Sequence, residues 1–259
     1  MATALASATG LAFDDRRESP AVVFIHGVTF SRRTWDPIVD RLADRCRCVA
    51  VDLPGHGDSA GLPQSMEELA HRIHGLITEL GIEKPVVVGH SYGGALASMY
   101  AATFPVAGVV NVDQPLDMRP FLGMLHQVAP GLRGPGFAAA FEPIRQSIGV
   151  ELLPEPLRSA TLATQSVRQD LVLAYWEEAL RRSPEDLQAE VDVRVHRIAA
   201  PYLAVFGHRL ADHERATIRA LIPHLDLEEW PDRGHMVHLM ELERFADRLA
   251  AFVDACGGA

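Results

Sequence analysis

Short apolar runs alternate along this chain with longer segments in which apolar residues recur at helical spacing. The segments predicted to be extended occupy residues 21–25, 47–51, 86–88, 106–112, 201–206 and 225–230. Helical spacing is found at residues 31–44, 65–81, 212–221 and 238–252. A run that is apolar at every position is typical of a strand buried on both faces of a parallel sheet. Strands that alternate with helices predict βαβ crossovers, and hence a mostly parallel sheet covered by helices on both faces.

The ends of a few elements have local signals. Residues 5–13 alternate weakly and the charged run 14–18 follows, which is the pattern of an edge hairpin with a polar turn. Ser31 is a predicted N-cap of the helix that follows it. Ser65 begins a second helix and has Glu68 three residues later, the spacing of a capping box.

The interval 114–199 breaks this alternation. It contains no convincing strand, and its helical patterns are interrupted by prolines and glycines, most densely at 130–136. We interpret it as a helical insertion, or cap, over the C-terminal ends of the strands, with 130–136 as a hinge or exposed loop. Its aromatic and methionine side chains are candidates to line a pocket, although their spacing is equally typical of a helix core. They are Phe121, Met124, Phe137, Phe141, Tyr175 and Trp176.

Composition narrows the class of protein. The chain has 259 residues and 48% hydrophobic residues, which is enough for one α/β domain with an insertion or for two small domains. The formal net charge of −10 argues against nucleic acid or an anionic membrane as a partner. Cys46, Cys48 and Cys256 form neither a disulfide framework nor a metal-ligand spacing, and the first two alternate as buried strand residues do.

The sequence also lacks the signals of secretion or membrane insertion. Residues 1–10 have no charged segment followed by a strong apolar core, and no apolar run reaches the length of a transmembrane helix. We therefore expect a cytoplasmic protein whose partner is a small-molecule substrate. The sequence leaves a homodimer open.

Residues 86–99 carry the most specific chemical signal. Three valines lead into Gly89-His90-Ser91-Tyr92-Gly93, and a helix of small residues follows. This is the pattern of a nucleophile elbow, a sharp strand-to-helix turn that exposes a serine hydroxyl above the end of a sheet. Glycines suit the crowding in such a turn, and the helix N-terminus directs N–H groups at developing negative charge. The short string also occurs by chance, but because a strand and a helix flank it here, we predict Ser91 as a nucleophile.

Four blocks of the sequence resemble the α/β-hydrolase superfamily. They are Phe24-Ile25-His26-Gly27, Asp52-Leu53-Pro54-Gly55-His56-Gly57-Asp58-Ser59, Gly89-His90-Ser91-Tyr92-Gly93-Gly94, and Gly234-His235 before the last helix. The resemblance covers nearly the whole chain. It implies an α/β-hydrolase fold with an eight-stranded, mostly parallel sheet and a helical cap inserted after the sixth strand. The core is then 1–113 and 200–259 and the cap is 114–199, while the substrate stays open because this fold supports many reactions.

By this resemblance His235 is the base that removes the proton from Ser91, because it lies in a Gly-His pair after the final strand. His238 lies in the same segment and is the competing candidate. The other histidines are expected at the surface or in the cap, apart from three inside the family blocks. Hydrogen-bonded scaffold roles are expected for His26, His56 and His90.

The acid is where this sequence departs from the common pattern of the family. Most members carry a carboxylate shortly after the seventh strand, but here that place is Gly207-His208-Arg209-Leu210, with leucine where the acid is expected. Some branches take the acid from the end of the sixth strand, where this chain has Asp113. A carboxylate fixed at a strand end orients an imidazole and stabilises its charged form. We predict Asp113, with Asp212 as the alternative; the non-catalytic interpretation is that Asp113 caps the turn into Pro115.

The resemblance also implies an oxyanion hole made by the backbone N–H groups of Val28 and Tyr92. The block 52–59 is expected to pack under the site without supplying catalytic groups. The residues predicted to contact substrate are Thr29, Phe121, Met124 and Trp176.

Together these residues predict a serine hydrolase that cleaves a carboxylic ester or lactone through an acyl-enzyme, with no cofactor and no metal. Ser91 argues against dehalogenase and epoxide-hydrolase chemistry, which needs aspartate at that position. Carbon–carbon bond hydrolases of the same architecture are the enzymatic alternative, although they often carry a more glycine-rich loop than Val28-Thr29-Phe30. A small-molecule receptor that retains the triad but turns over very slowly is the alternative from another class.

Overall fold

Eight strands form one sheet at the centre of the protein. The structure, a computed structural model, describes residues 5–16, 20–42, 44–63 and 65–257. In spatial order the strands run β1-β2-β4-β3-β5-β6-β7-β8. They are β1 (Leu5–Ala6), β2 (Ala12–Arg16), β3 (Ala21–Ile25), β4 (Arg47–Val51), β5 (Val86–His90), β6 (Gly108–Val112), β7 (Tyr202–Phe206) and β8 (Asp226–Glu229).

The strands from β3 to β8 all run parallel to one another, whereas β2 pairs antiparallel with both of its neighbours, β1 and β4. The prediction of a mostly parallel, eight-stranded sheet is therefore confirmed. The register pairs Ile25 with Gly89, and Gly89 with Asn111. As a result, the residues that follow β3, β5, β6 and β7 emerge along one edge of the sheet, where ligands bind in open α/β sheets.

The edge hairpin exists, but its charged residues lie in a strand and not in the turn. The turn is at 7–11, where the N–H of Ser7 donates to the carbonyl of Leu11 at 3.0 Å. Asp14 and Asp15 belong to β2, and Asp15 pairs with Arg47 of the neighbouring strand at 2.8 Å. This cross-strand ion pair explains how a charged run is accommodated in the sheet; residues 17–19 of the predicted turn lie outside the described part of the chain.

Helices cover both faces of the sheet, as predicted. They are α1 (Asp36–Leu42), α2 (Met66–Glu79), α3 (Tyr92–Thr103), α4 (Arg119–Arg133), α5 (Phe137–Ile148), α6 (Leu157–Ala163), α7 (Gln169–Arg181), α8 (Pro184–Val195), α9 (Asp212–Leu221), α10 (Val237–Met240) and α11 (Leu242–Gly257), with short 3₁₀ turns at Arg32–Trp35 and Val150–Leu152. Side chains of β3, β5 and β6 alternate between two apolar layers. Val23, Val87 and Val109 pack towards α2 and α3, while the residues beside them in the chain pack towards α1 and α11.

Several helix boundaries differ from the sequence predictions. Ser31 makes no side-chain cap, because a 3₁₀ turn precedes α1. The Ser65 hydroxyl does accept from the N–H of Glu68 at 3.1 Å, but the Glu68 carboxylate contacts Arg72 at 3.4 Å instead of completing a capping box. The closing helix is interrupted at Glu241, whose backbone is not helical.

The segment 114–199 folds into the helices α4 to α8 and contains no strand, all of its residues being described. Residues 130–133 of the predicted hinge, including Pro130, belong to α4. Only residues 134–136 form a connection, between α4 and α5. The division of the chain into a core and a cap stays our interpretation. We keep the name cap for 114–199.

The block 52–59 forms a buried charged turn beside the sheet. Asp52 is fully buried and binds both the backbone N–H of Arg32, at 2.7 Å, and the Arg32 guanidinium. The N–H of Asp58 also donates to Asp52, at 2.9 Å, and the Asp58 carboxylate pairs with Arg32 at 2.8 Å. Because a buried charge is costly without partners, this cluster fixes the loop that leads out of β3.

No helix among the described residues combines the length and the apolar character needed to cross a membrane.

The fold depends on a glycine in the first turn of α3. A Cβ at Gly93 would overlap the backbone carbonyl of Ile25 and lie 2.7 Å from the carbonyl oxygen of His26, whereas a Cβ at Gly123 in α4 meets no heavy atom within 4 Å. We expect Gly93→Ala to lower the free energy of unfolding by about 1–3 kcal/mol, because backbone atoms cannot move aside. Gly123→Ala is the matched control and should raise it by about 0.5–1 kcal/mol through helix propensity. Chemical denaturation of both variants tests this, and equal effects would contradict it.

Candidate active site

Ser91 lies at a sharp bend between β5 and α3. Its backbone φ of 54° is in the left-handed region, which is uncommon for a residue with a side chain. The bend is fixed by the N–H of Ser91, which donates to the carbonyl of Val112 at 3.0 Å. A Cβ at Gly89 would overlap the carbonyl of Gly93 and lie 2.6 Å from the N atom of Gly94. The predicted nucleophile elbow therefore has the backbone geometry that the motif requires.

Asp113, immediately after β6, holds the ring of His235. The Nδ1–H of His235 donates to Asp113 Oδ2 at 2.7 Å, across 122 residues of sequence. Asp113 also has a positive φ, 51°, and its N–H donates to the carbonyl of Val205 at 2.8 Å. A carboxylate fixed in this way selects the His235 tautomer whose Nε2 is free to accept a proton.

Gly207 joins Asp113 to the loop that carries His235. Its N–H donates to Asp113 Oδ1 at 2.8 Å, and its carbonyl accepts from the N–H groups of Arg233 and Gly234 at 2.9 and 3.0 Å. A Cβ at Gly207 would overlap the carbonyl oxygen of Gly234 and lie 3.1 Å from its N atom. This backbone contact places the residue before His235 directly against the end of β7.

Asp113 is ionised because its hydrogen bonds outweigh its burial. Burial alone raises the pKa of the Asp113 carboxyl, but contacts from His208, His235 and the N–H of Gly207 bring that pKa well below its usual range. His208 Nδ1 lies 3.4 Å from Asp113 Oδ1, and the carboxylate raises the pKa of His208. From the sequence, His208 is expected at the surface or in the cap, and only the strand order reveals its contact with Asp113.

A mostly apolar cavity of about 550 Å³ brings the predicted residues together. Ser91, Asp113 and His235 line it from the strand ends. The predicted contact residues Thr29, Phe121, Met124 and Trp176 line it too, with the further candidates Phe141 and Tyr175. Phe137 does not; it stacks on Phe141, with the ring centroids 5.5 Å apart, outside the cavity wall. Four methionines contribute to the lining, Met66, Met99, Met118 and Met124.

Ser91 and His235 share this cavity without a direct bond. The ring of His90, next to Ser91 in the chain, lies 4.6 Å from the ring of His235. The hydrogen bonds of the described residues include none between the Ser91 hydroxyl and His235. Bonds of this kind often tighten only when a substrate is bound, so the geometry is that of a resting site.

Two backbone N–H groups without a protein acceptor form a candidate anion site beside Ser91. Val28 and Tyr92 both line the cavity, and among the described residues neither N–H has a protein acceptor. Thr29 follows Val28 with a φ of 75°, and its N–H donates to His56 Nε2 at 3.0 Å. The buried Thr29 hydroxyl has no partner within the part of the chain that the structure describes. Such free donors beside a serine suit an oxyanion.

Four buried histidines are scaffold residues. His26 Nε2 accepts from the N–H of Leu53 at 3.0 Å, and the Nε2–H of His90 donates to the carbonyl oxygen of His235 at 2.9 Å. Burial lowers the pKa of His26 to about 4 and holds that of His90 well below its ordinary value. Burial also lowers the pKa of His56 and of His238 to about 3 each. All four are therefore neutral at pH 7.

Two other candidates from the sequence, His238 and Asp212, do not line the cavity. His238 packs against Trp35, with ring centroids 4.8 Å apart, and does not reach the acid. Asp212 is exposed at the start of α9 and pairs with Arg215 at 2.7 Å. Within the described residues no cluster of three or more histidine, cysteine or acidic side chains is arranged to hold a metal ion.

A model of the alpha/beta hydrolase family matches residues 22–248. The sn-1-specific diacylglycerol lipase ABHD11 of Mus musculus is 27% identical over 256 residues, which covers 90% of this chain and 81% of the lipase.

Two solved structures illustrate the fold. The enzyme AqdC, described as cleaving the ring of the Pseudomonas quinolone signal, superposes with a TM-score of 0.80 at 20% identity, over 98% of this chain and all of that one. A thermophilic esterase from Thermogutta terrifontis superposes with a TM-score of 0.74 at 23% identity, over 98% of this chain and 99% of the esterase. At these identities the likeness establishes the fold alone.

The choice of acid can be tested through the reactivity of Ser91. We expect Asp113→Asn to slow covalent labelling of Ser91 by a fluorophosphonate about 10³–10⁴-fold, because an amide cannot stabilise the charged imidazole. Asp212→Asn is the control and should change the rate less than about twofold, since its side chain faces solvent. Mass spectrometry of the labelled peptide gives the rates. Slower labelling in Asp212→Asn alone would move the acid to the loop after β7.

The buried neutral histidines predict a loss of stability at acidic pH. The unfolded chain binds protons at histidine near pH 6.5, whereas the folded state resists protonation until each lowered pKa is reached, so the free energy of unfolding falls as pH drops below 6.5. For His238, between pH 7.5 and pH 5, this loss is about 2 kcal/mol. We expect the free energy of unfolding of His238→Phe to fall by about 2 kcal/mol less than that of the wild type between these pH values. His196→Gln, which changes an exposed histidine, is the control and should lose as much as the wild type. Denaturant unfolding at the two pH values is the measurement; equal losses in all three proteins would show that His238 is charged in the fold.

Proposed function

The chain belongs to the alpha/beta hydrolase family, and on that premise we propose that it is a serine hydrolase which cleaves a carboxylic ester or lactone of a small, largely apolar molecule through an acyl-enzyme. One observation carries the proposal. The Asp113–His235 hydrogen bond lies in the same cavity as the turn that bears Ser91.

The mechanism follows from the positions of these groups. His235 Nε2 removes the proton from the Ser91 hydroxyl as the oxygen attacks the carbonyl carbon. Asp113 stabilises the imidazolium that forms, and the N–H groups of Val28 and Tyr92 bind the developing oxyanion. His235 then gives that proton to the leaving alkoxide oxygen as the ester bond breaks. In the second half, His235 removes a proton from water as the water attacks the acyl carbon, and returns it to the Ser91 oxygen as the carboxylic acid is released. Loss of one such oxyanion donor typically costs about 3 kcal/mol of barrier.

The cavity supports an apolar substrate without a strong charge. Its lining is mostly apolar, and four methionines make it adaptable to shape. Arg194 is the cap-side cation in the lining, but its guanidinium is bound to Glu190. Glu178 adds a carboxylate to the same wall. A free anionic group on the substrate therefore finds no unpaired cation there among the described residues. The similarity to a diacylglycerol lipase agrees with this class of substrate.

The proposal is tested by the fate of Ser91. We expect the wild type to hydrolyse short p-nitrophenyl esters over many turnovers and Ser91→Ala to lose at least about 10³-fold in kcat/KM, because the nucleophile is gone. Ser147→Ala is the matched control, since Ser147 lines the same cavity from α5 and donates to a backbone carbonyl. Its activity should be unchanged.

Two other results of this assay would favour the alternative functions. Release of a single slow equivalent of p-nitrophenol favours a receptor, and turnover of carbon–carbon bond substrates but not esters favours the alternative hydrolase class. Equal activity of wild type and Ser91→Ala would show that the serine mechanism is wrong.

A further inference from the structure

Asp113 faces two histidines, and the mechanism above uses only one. Oδ2 accepts from His235 at 2.7 Å, while Oδ1 accepts from the N–H of Gly207 at 2.8 Å and lies 3.4 Å from His208 Nδ1. The carboxylate is 6% exposed, so both rings approach it in a poorly solvated position. Two imidazoles thus share one buried negative charge.

His208 differs from His235 in its access to solvent. Its side chain is 50% exposed, against 24% for His235, and both line the cavity. The ring packs edge-on against Phe206, with the centroids 5.7 Å apart, which keeps Nδ1 towards the acid. A half-exposed imidazole beside a buried carboxylate can take up a proton with little loss of hydration.

Charged groups other than Asp113 also surround His208. Glu214 of α9 and Glu229 of β8 both favour its protonated form. Glu229 is largely neutralised, because Arg215 binds it at 2.7 Å. Arg209 follows His208 in the chain, and its charge helps to lower the pKa of Glu229. The dominant partner of His208 is therefore Asp113.

We propose that His208 is a positioning residue for the catalytic acid: its protonated ring shares the Asp113 carboxylate with His235 and so keeps His235 available as a base in weakly acidic solution. This inference rests on the proposed serine mechanism, because it gives His235 the role of base.

The direction of the effect follows from electrostatics. Protonated His208 offsets much of the Asp113 charge, and two cations around one carboxylate repel each other, so charging His208 makes the charging of His235 harder. The acidic limb of kcat/KM then lies at lower pH than it does with His235 and Asp113 alone. At high pH His208 is neutral, and its influence on the rate disappears.

The test compares His208→Gln with wild type and with His196→Gln, an exposed histidine at the end of α8. In His208→Gln we expect the midpoint of the acidic limb of kcat/KM for a p-nitrophenyl ester to move up by about half a pH unit, measured against the variant's own plateau above pH 8.5. The shift should shrink in 0.5 M NaCl, because both rings reach solvent. His196→Gln should match the wild type.

A second measurement is independent of turnover. Ring resonances followed by NMR from pH 5 to 9 should show His235 titrating about half a pH unit higher in His208→Gln than in wild type. An unmoved midpoint in both measurements overturns the inference. So does a uniform loss of activity at every pH, which would make His208 only a structural support of its loop. Neither result bears on Ser91→Ala, which tests the serine mechanism itself.

Discussion

A backbone contact at Gly207 brings together the two residues that the proposed mechanism uses as acid and base. The acid follows β6, the base lies beyond β8, and the peptide of Gly207 hydrogen-bonds to both segments. Any side chain at this position would collide with the carbonyl of Gly234 and separate the two loops. The parallel sheet supplies the other part of the constraint, because its strands end together and present Ser91 and Asp113 on adjacent turns, both with positive φ. The energy for holding two residues in that strained conformation comes from the packed strands below them.

Solvent access divides the histidines near the site into two groups. His26, His56, His90 and His238 are buried, remain neutral, and use their nitrogens or ring faces to hold loops in place. His208 and His235 reach the cavity and share the carboxylate of Asp113. One residue type therefore serves both as rigid scaffold and as proton carrier, and burial decides which.

The sequence is informative where chemistry and backbone are coupled locally. The elbow around Ser91 is recognisable because glycine spacing, a strand and a helix adjoin it within fourteen residues. The strands of the sheet are predictable for the same reason, because each apolar run is local in the sequence. His208 is hidden in the sequence because its partner is 95 positions earlier, and the role of Gly207 depends on a contact with Gly234 across β8. Local rules also fail at Glu68, because a nearby arginine binds the carboxylate that a capping box would use. They fail again at Asp14 and Asp15, which have the composition of a turn but pair with a neighbouring strand.

The parallel strands also give the molecule two unlike edges. Lys84 is exposed just before β5, on the edge where the strands begin, and it is the only lysine in the sequence. A five-residue strand separates it from the elbow, a distance of about 20 Å. Coupling to a solid support through side-chain amines would therefore attach every molecule by the edge opposite Ser91, with the cap directed into solution.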